Sequence, residues 1–324
     1  MISASRCLVV GGAGFIGSHF VDRLMAAPDV REVIVYDNFS AGREWHLADH
    51  GESARLRILG ADVKDLDSLV LAMRGCELVV HLASNPDIAR AATEPAIDFH
   101  EGTYLTHNVV EAMRLTRTPL LLYASGSGIY GDLGEVEANE DYGPLLPIST
   151  YGASKLAGEA LICSYCHMFD LTARVLRFGN VVGPRQTHGV GFDFLRQLLA
   201  RPDRLRILGD GTQSKSYVYV HDVVEAALLA AGAPGERFQP YNVATGDYIT
   251  VREIAELAVD CAGLPAGSVD FEFTGGSRGW KGDVPVVRLD TTRIRALGWR
   301  NRMNSREALR MSMLALRDDA SRIW

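Results

Sequence analysis

The sequence has no long apolar run, no excess of positive charge and little cysteine. No stretch of about 18 apolar residues occurs, so a helix that crosses a membrane is not expected. The segment from Met1 to Val10 is too short to hold the charged region, the apolar core and the cleavage site of a signal peptide. These absences predict a cytoplasmic protein that does not associate with membranes.

Acidic residues outnumber basic ones, since 40 Asp and Glu stand against 33 Lys and Arg and the formal net charge is −7. Proteins that bind the backbone of nucleic acids carry a basic surface. The charge therefore argues against nucleic-acid binding. It leaves room for a small anionic ligand, which a few local cations and helix dipoles can bind.

The few cysteines are scattered along the chain, and their odd number favours reduced thiols over a disulfide framework. They are Cys7, Cys76, Cys163, Cys166 and Cys261. Cys163 and Cys166 lie three residues apart on a predicted helix, a spacing that serves a core more often than a redox or metal site. His46 and His50 lack an evident third ligand, so they are expected to be solvated and no metal site is predicted.

Short apolar segments alternate with amphipathic ones over the first 180 residues. Strands are predicted at residues 6–10, 33–36, 56–59, 78–82, 120–124 and 173–178, and helices at 15–27, 66–73, 96–114 and 149–168. Strands separated by helices lie parallel and are buried on both sides. The alternation therefore predicts an α/β fold, a Rossmann-type doubly wound parallel sheet with helices on both faces.

After residue 180 the pattern loosens, and glycine and proline interrupt short elements. Helices are predicted there at residues 251–262 and 305–316. We expect residues 1–180 to form a Rossmann-type domain to which some later segments return. We expect residues 181–324 to form mainly a smaller C-terminal substrate-binding lobe.

A glycine-rich turn follows the first strand and opens the first helix, with Gly11, Gly14 and Gly17 in a G-x-x-G-x-x-G pattern. Glycine permits a positive φ and lets a pyrophosphate approach the backbone, and the free N–H groups at the start of the helix attract that anion. A plain tight turn is the alternative. The position between a strand and a helix favours a dinucleotide-binding turn.

Asp37 ends the second strand, about twenty residues after the last of these glycines, where dinucleotide-binding folds place an acidic residue. Its carboxylate can accept hydrogen bonds from both hydroxyls of a ribose and repels a 2′-phosphate. Because Asn38 and Phe39 follow and neither is basic, NAD is favoured over NADP. Asp62 with Val63, after the third strand, is expected near the adenine. A turn or helix cap is the alternative role for both aspartates.

Tyr151 and Lys155 lie four residues apart near the start of a predicted helix, so they share one face. A free tyrosine, with a pKa of about 10, is a poor base at neutral pH. A nearby cation, aided by the positive charge of an oxidised nicotinamide, is expected to lower the pKa of Tyr151. The phenolate can then take a proton from a sugar hydroxyl while hydride leaves the same carbon. Such a pair is usually a surface pair, but downstream of a dinucleotide turn catalysis is favoured.

With these motifs, the sequence resembles the extended short-chain dehydrogenase/reductases that modify nucleotide-sugars. The resemblance covers nearly the whole chain, and beyond the motifs above it includes His81 to Ser84, Ser125 to Gly131 and Arg177 to Arg185. Residues 209–217 and 279–283 resemble a branch that holds archaeal-type sugar epimerases and UDP-glucuronate decarboxylases of antibiotic-sugar pathways.

The resemblance implies a bound NAD, with Tyr151 as the base and Lys155 as its partner and as an anchor for the ribose. The residues expected to contact NAD are Gly11, Gly14, Phe15, Ile16, Gly17, Asp37, Asn38, Asp62, Val63, Leu82, Ala83, Ser84, Tyr151 and Lys155.

The third catalytic residue of the family, a Ser or Thr, falls on Gly126 here, which departs from the pattern. Related decarboxylases also use a serine that aligns with Ser127. Ser127 is therefore the predicted catalytic hydroxyl, with Ser125 as the alternative. The same decarboxylases carry a Glu where this chain has Gly128, and the loss of that carboxylate argues against full decarboxylase turnover.

On the substrate side, the resemblance places Asn180 and Arg185 along the diphosphate of a nucleotide-sugar, with Ser127 near the sugar. Lys215 stands where relatives usually carry an Arg, so the charge is kept without the bidentate geometry. Arg278 is a further cation in a glycine-rich loop. A solvated surface charge is the alternative for each cation, and UDP is favoured over dTDP by resemblance.

The resemblance implies oxidation of the sugar at C4 to a 4-keto intermediate. If C6 is a carboxylate, this β-keto acid loses CO2, and UDP-glucuronate gives UDP-xylose or UDP-4-keto-xylose. The alternative is 4-epimerisation of a UDP-hexose or uronate, in which hydride returns to the other face of the ketone. The resemblance favours decarboxylation. A 4,6-dehydratase ranks last, because the acidic pair that such enzymes carry after the catalytic Thr is missing around Ser127.

A protein that binds NAD without chemistry is the hypothesis from another class, and the intact Tyr-Lys pair argues against it. Relatives form homodimers through two long helices per subunit, which are predicted here at residues 96–114 and 149–168, so a homodimer is expected. The apolar residues of these helices could equally serve the core. They include Val109, Val110, Leu161, Ile162 and Met168.

Overall fold

A computed structural model of the chain describes residues 4–323. Met1 to Ser3, which begin the segment where no signal peptide is predicted, lie outside the described residues, as do Trp324 and the side chain of Ala89. Within the described range, no helix has both the length and the apolar character that crossing a membrane requires.

Seven of the strands in residues 4–323 form one parallel sheet. The strands are β1 (Arg6–Val10), β2 (Glu32–Asp37), β3 (Leu56–Gly60), β4 (Leu78–His81), β5 (Leu120–Gly126), β6 (Glu137–Ala138), β7 (Thr172–Phe178), β8 (Asn180–Val182), β9 (Arg204–Ile207), β10 (Ser214–Lys215), β11 (Tyr217–Tyr219), β12 (Phe238–Val243), β13 (Ile249–Thr250), β14 (Asp270–Phe273) and β15 (Arg288–Leu289). The central sheet has the order β12-β7-β5-β4-β1-β2-β3, and every neighbouring pair is parallel.

Helices cover both faces of this sheet. They are α1 (Phe15–Met25), α2 (Leu66–Met73), α3 (Tyr104–Thr116), α4 (Thr150–Phe169), α5 (Val190–Ala200), α6 (Val220–Ala231), α7 (Val251–Cys261), α8 (Thr292–Ala296), α9 (Ser305–Asp318) and α10 (Ala320–Ile323). α1 and α6 pack on one face, and α2, α3 and α4 pack on the other. The doubly wound α/β sheet predicted from the sequence is confirmed.

Burial on both faces follows from the alternation of side chains along each strand. Val9 of β1 belongs to the same buried cluster as Phe20 of α1. Its neighbour Leu8 belongs to the cluster on the opposite face, with Met113 of α3. The inner strands β1 and β4 are therefore largely apolar rather than alternately polar.

The direction of winding reverses beside β1, because the chain passes from β1 to β2 on one side and later enters β4 on the other. In doubly wound sheets, ligands bind in the crevice at the carboxyl ends of the strands next to this reversal. The glycine-rich turn starts at Gly11, directly after β1, and β5 ends at Gly126. Both lie at the same edge of the sheet.

The long helix predicted at residues 96–114 is present, but its first part is π-helical rather than α-helical. A π-helical turn spans Phe99–Thr103, and α3 begins only at Tyr104. A Cβ on Gly102 of this turn would lie 2.8 Å from the Ser154 hydroxyl of α4, so the two backbones approach closely there. The other predicted helices agree with the structure to within about two residues, the usual uncertainty of helix ends.

The C-terminal part of the chain forms a second buried cluster around α5, α7 and α9, together with β9 and β11. Capping boxes start two of these helices, at Thr250 for α7 and at Asn304 for α9. β12 returns to the central sheet and lies beside β7.

Candidate active site

A cavity of about 940 Å³ runs between the carboxyl edge of the sheet and the C-terminal elements. One end is lined by the glycine-rich turn and Asp37, the middle by Ser127 and Tyr151, and the other end by residues of α5, β9 and β10. All fourteen residues predicted to contact NAD line this one cavity.

The glycine-rich turn leaves no room for side chains. Gly11 has φ +82°, and a Cβ on Gly17 would lie 2.1 Å from the Gly11 carbonyl oxygen. Gly14 caps α1 without a side-chain hydrogen bond, so the first N–H groups of the helix stay open to a ligand. This shape fits the pyrophosphate of a dinucleotide.

Asp37 ties the end of β2 to the glycine-rich turn. Its carboxylate accepts hydrogen bonds from the backbone N–H of Ala13 at 2.9 Å and of Phe39 at 2.8 Å. Burial raises the pKa of Asp37, and these two N–H groups oppose that rise. Each carboxylate oxygen can accept a second hydrogen bond, so the group fits the ribose hydroxyls of NAD.

His46 also holds the glycine-rich turn in place, and the sequence alone does not reveal this contact. Its Nδ1 donates to the Ala13 carbonyl oxygen at 2.8 Å, and the backbone N–H of Arg43 donates to that oxygen at 3.0 Å. His46 is buried and not solvated as predicted, while His50 bonds to Asp22 at 2.9 Å. The prediction failed because the local sequence does not show that the 3₁₀-helix Glu44–His50 packs on the turn.

Tyr151 and Lys155 lie on one face of α4, as their spacing predicts. Ser149 caps this helix by accepting the N–H of Gly152 at 3.1 Å, which sets Tyr151 in the first turn. The Lys155 Nζ lies 5.5 Å from the centre of the Tyr151 ring and donates to the Ala124 carbonyl oxygen at 2.8 Å. The cation and the phenol therefore sit together above the end of β5.

Lys155 does not determine the direction in which the pKa of Tyr151 is shifted by the surrounding chain. Burial raises the pKa of Tyr151, and only a hydrogen bond with the Ser84 side chain opposes the rise. Burial lowers the pKa of Lys155 to about 8, against the attraction of Glu159 and Asp98. The loss of hydration outweighs the cation, because the Lys155 ammonium donates to Ala124 rather than to the phenol.

The two candidate hydroxyls differ in what holds them. The Ser125 hydroxyl donates to the buried Glu159 carboxylate at 2.5 Å. Glu159 in turn pairs with Arg177 at 2.8 Å, so Ser125 belongs to a structural network behind the cavity. The Ser127 hydroxyl lines the cavity and has no hydrogen-bond partner within residues 4–323. Ser127 is thus the hydroxyl that stays available.

Two glycines flank Ser127 and widen the cavity there. A Cβ on Gly126 would meet no atom within 4 Å, and its φ of −160° suits any residue. A Cβ on Gly128 would only touch Gly152 of α4, at 3.6 Å. The position of the missing family hydroxyl is therefore empty space beside Tyr151, not a site filled by another group.

Three of the predicted substrate contacts line the cavity, and Ser127 is one of them. Asn180 lies at the start of β8, where its exposed side chain borders the cavity. Lys215 also borders it, and its ammonium pairs with Asp283 at 2.5 Å. Both remain candidates for the phosphate end of a nucleotide-sugar.

Arg185 and Arg278, which are also predicted substrate contacts, are not among the residues of the described chain that line the cavity. Arg185 has φ +63°, and its guanidinium pairs with Asp22 at 2.8 Å beneath α1. Arg278 pairs with Asp132 at 2.6 Å and donates to the Asp283 carbonyl oxygen. Carboxylates distant in the sequence hold both cations, which a linear motif cannot show.

Two residues on C-terminal elements border the cavity and escaped sequence reasoning. Arg206 of β9 has no ion-pair partner in the described part of the chain. It alternates with the buried Leu205 and Ile207 along the strand, and this alternation is the sequence pattern that could have revealed it. Arg196 of α5 pairs with Asp193 at 3.2 Å. No sequence pattern marks Arg196.

Comparison with known proteins agrees with this geometry. The model of the NAD dependent epimerase/dehydratase family matches residues 7–244. The UDP-glucose 4-epimerase of Mycolicibacterium smegmatis is 36% identical over 301 residues, which cover 91% of this chain and 93% of that protein. A crystal structure of a UDP-galactose 4-epimerase has a TM-score of 0.85 at 35% identity and covers 98% of this chain and 100% of that chain.

A relative with another activity also matches. The UDP-glucuronic acid decarboxylase 2 of Arabidopsis thaliana is 29% identical over 312 residues, which cover 94% of this chain and 66% of that protein. Both activities occur among enzymes of one family. By its matched residues and its cavity, the chain belongs to the NAD dependent epimerase/dehydratase family, a family of enzymes with NAD as cofactor.

Proposed function

We propose that this enzyme interconverts neutral UDP-hexoses, such as UDP-glucose and UDP-galactose, by epimerisation at C4. The observation that carries the proposal is the set of charges in the cavity. The Lys and Arg side chains that line it in the described chain are Lys155, Arg196, Arg206 and Lys215.

These four cations leave none for a carboxylate on the sugar. Lys155 lies beside Tyr151, and Arg196 is paired with Asp193. Arg206 is then left for the negative charge of a diphosphate, together with Lys215, whose ammonium already pairs with Asp283. Asp87 and Asp193 also line the cavity, and they would repel a uronate. The charges therefore favour a neutral hexose over UDP-glucuronate.

Epimerisation also agrees with the relatives, since the 4-epimerase is 36% identical to this chain and the decarboxylase is 29% identical. Resemblance alone favours decarboxylation. Two observations favour epimerisation instead. Gly128 lacks the carboxylate that the decarboxylases carry at this position, and the charges of the cavity favour a neutral sugar.

The chain offers a complete set of contacts for NAD. The turn from Gly11 to Gly17 and the start of α1 fit the pyrophosphate, Asp37 fits the ribose of the adenosine, and Asp62 with Val63 border the adenine end. When bound, NAD accepts a hydride from the sugar and returns it.

The residues of the chain move the proton. Tyr151 takes the proton of the C4 hydroxyl as the C4–H bond breaks, which leaves a ketone at C4. Lys155 holds a positive charge beside the phenolate. Ser127 donates a hydrogen bond to the C4 oxygen, on which negative charge develops.

The reverse step needs the ketone to present its other face. The open space at Gly126 and Gly128 lets the sugar turn while the diphosphate stays bound. Tyr151 then returns its proton to the C4 oxygen. The product differs from the substrate only at C4, so no atom is gained or lost.

The test is incubation of the purified enzyme with UDP-galactose, UDP-glucose and UDP-glucuronate in separate reactions, read by mass spectrometry and proton NMR. We expect the two hexoses to interconvert without a change in mass. Release of CO2 from UDP-glucuronate, with no interconversion of the hexoses, would contradict the proposal. Tyr151→Phe is the matched control, because it removes one oxygen and should bind NAD with little turnover.

We also propose that the enzyme is a homodimer that pairs through α3 and α4. Val109, Val110 and Ile162 of these helices serve the core, but Met168 is 71% exposed. Further exposed apolar residues occur on and next to the same helices, namely Phe99, Tyr104, Leu115 and Phe169. Light scattering should give twice the chain mass of 35.3 kDa, and a mass of one chain would contradict the dimer.

A further inference from the structure

Asp98 is a buried carboxylate beside the catalytic pair. It is 1% exposed and directly precedes the π-helical turn that departs from the predicted helix. The Thr150 hydroxyl donates to it at 2.6 Å, and the Asn85 side-chain amide donates to it at 2.8 Å. It has no ion-pair partner in the described chain, so these two hydrogen bonds are what offsets the cost of burying its charge.

The two donors connect Asp98 to both sides of Tyr151. Thr150 is the first residue of α4 and directly precedes Tyr151. Asn85 directly follows Ser84, whose side chain hydrogen-bonds to the Tyr151 phenol. Asp98 therefore joins the first turn of the catalytic helix to the loop that contacts the phenol.

Asp98 is also the unbalanced negative charge near Lys155. Glu159 attracts Lys155 as well, but Glu159 is already neutralised by Arg177, which donates to both of its oxygens. In the described chain no carboxylate lies within ion-pair distance of the Lys155 ammonium, so Glu159 and Asp98 act on it over a longer distance. Asp98 is thus the remaining group that can balance its charge in this dry site.

We propose that Asp98 is a positioning residue of the active site, which clamps the Tyr151 turn to the Ser84 loop and supplies a negative charge to the surroundings of Lys155. The proposal rests on the roles of Tyr151 and Lys155 in the proposed function. Asp98 does not touch the reacting atoms, so it acts through the catalytic pair.

The charged and titratable groups around Tyr151 and Lys155 determine the direction in which loss of the Asp98 charge shifts the pKa of each. Lys155 is attracted by Glu159 and Asp98, and it lies over the ring of Tyr123 and beside the neutral His81. Tyr151 is influenced by Asp98, which adds to the rise that burial causes in its pKa. Loss of the Asp98 charge therefore lowers the pKa of both groups.

The substitution Asp98→Asn removes this charge with almost no change in shape. The new amide oxygen can accept from Asn85, and the Thr150 hydroxyl can turn to accept from the new NH2 group. Thr150→Val is the matched control, because it breaks one hydrogen bond to Asp98 and leaves the charge in place. The pair of variants separates the charge from the clamp.

The ionisation of Lys155 can be followed by NMR of protein labelled with 13C at the lysine Cε. The chain has four lysines, so the spectrum contains few signals. The signal that is missing in Lys155→Met belongs to Lys155. In the wild type, the signal should titrate with a midpoint of about 8. In Asp98→Asn the midpoint should fall, and in Thr150→Val it should stay. An unchanged midpoint in Asp98→Asn would overturn the proposal, as would an equal fall in Thr150→Val.

The pH profile of kcat supplies the second readout. Both limbs should move to lower pH in Asp98→Asn, because Tyr151 ionises earlier and Lys155 loses its charge earlier. Thr150→Val should lower kcat by a similar factor at every pH, since only the clamp is weakened. A pH-independent loss in Asp98→Asn would mark a merely structural residue and overturn the proposal. The NMR titration needs no sugar, so it stays informative if no UDP-hexose is epimerised.

Discussion

The account of the site predicts that Ser127, and not Ser125, supplies the hydroxyl that works on the sugar. The perturbation is Ser127→Ala, which removes a hydroxyl that has no partner in the described chain. A hydrogen bond to a charged oxygen contributes about 1.5–3 kcal/mol. At about 1.4 kcal/mol per factor of ten, kcat should fall about 10- to 150-fold, with little change in stability.

Ser125→Ala is the matched control. Its hydroxyl donates to Glu159, which keeps its pair with Arg177, so the loss should appear as about 1 kcal/mol in the free energy of unfolding. Its kcat should stay close to that of the wild type. Urea denaturation and initial rates with UDP-galactose measure the two effects separately.

A rescue makes the prediction sharper. Because a Cβ on Gly126 meets nothing within 4 Å and the backbone there is extended, Gly126→Ser should fold normally. Added to Ser127→Ala, it places a hydroxyl in the same open space and should restore part of the lost rate. A full rate in Ser127→Ala, or a larger loss in Ser125→Ala, would refute the reasoning.

Three further predictions follow from the cavity and its surroundings. Gly17→Val should abolish NAD binding in calorimetry, since its Cβ would lie 2.1 Å from a backbone oxygen, whereas Gly51→Ala, with 3.7 Å to its nearest contact, should bind normally. Arg206→Met should raise KM for the UDP-sugar about tenfold or more through a lost phosphate contact, while Arg204→Met on the same strand should not. Burial lowers the pKa of His46 to about 4, so the unfolded chain binds more protons than the folded chain below about pH 6.5. The free energy of unfolding should therefore fall as the pH drops from 6.5 towards 4, and it should fall less steeply in His46→Gln. Equal pH dependence of thermal unfolding in the two proteins would contradict this prediction.

The sequence was sufficient where local patterns carry the structure. The glycine-rich turn, Asp37 and the Tyr151–Lys155 pair all border one cavity, because a strand–turn–helix unit and a helical spacing of four are local geometry. The sheet follows from the alternation of strands and helices. The division into domains at residue 180 and the cytoplasmic location stay predictions.

The sequence was insufficient where a side chain has a choice of partners. Arg185 and Arg278 carry the right charge for a phosphate, yet Asp22 and Asp132, both more than 100 positions away, hold them outside the cavity. The spacing of Tyr151 and Lys155 also does not show that burial raises the pKa of Tyr151, because burial is a property of the folded chain.

The most direct test of the central claim follows one hydrogen atom. UDP-galactose that carries deuterium at C4 is incubated with the enzyme in ordinary water, and the UDP-glucose formed is examined by NMR and mass spectrometry. If C4 is oxidised and reduced inside one closed site, the deuterium returns to C4 and the product keeps its full mass. Hydrogen from water at C4, or a product labelled at another carbon, would contradict the account.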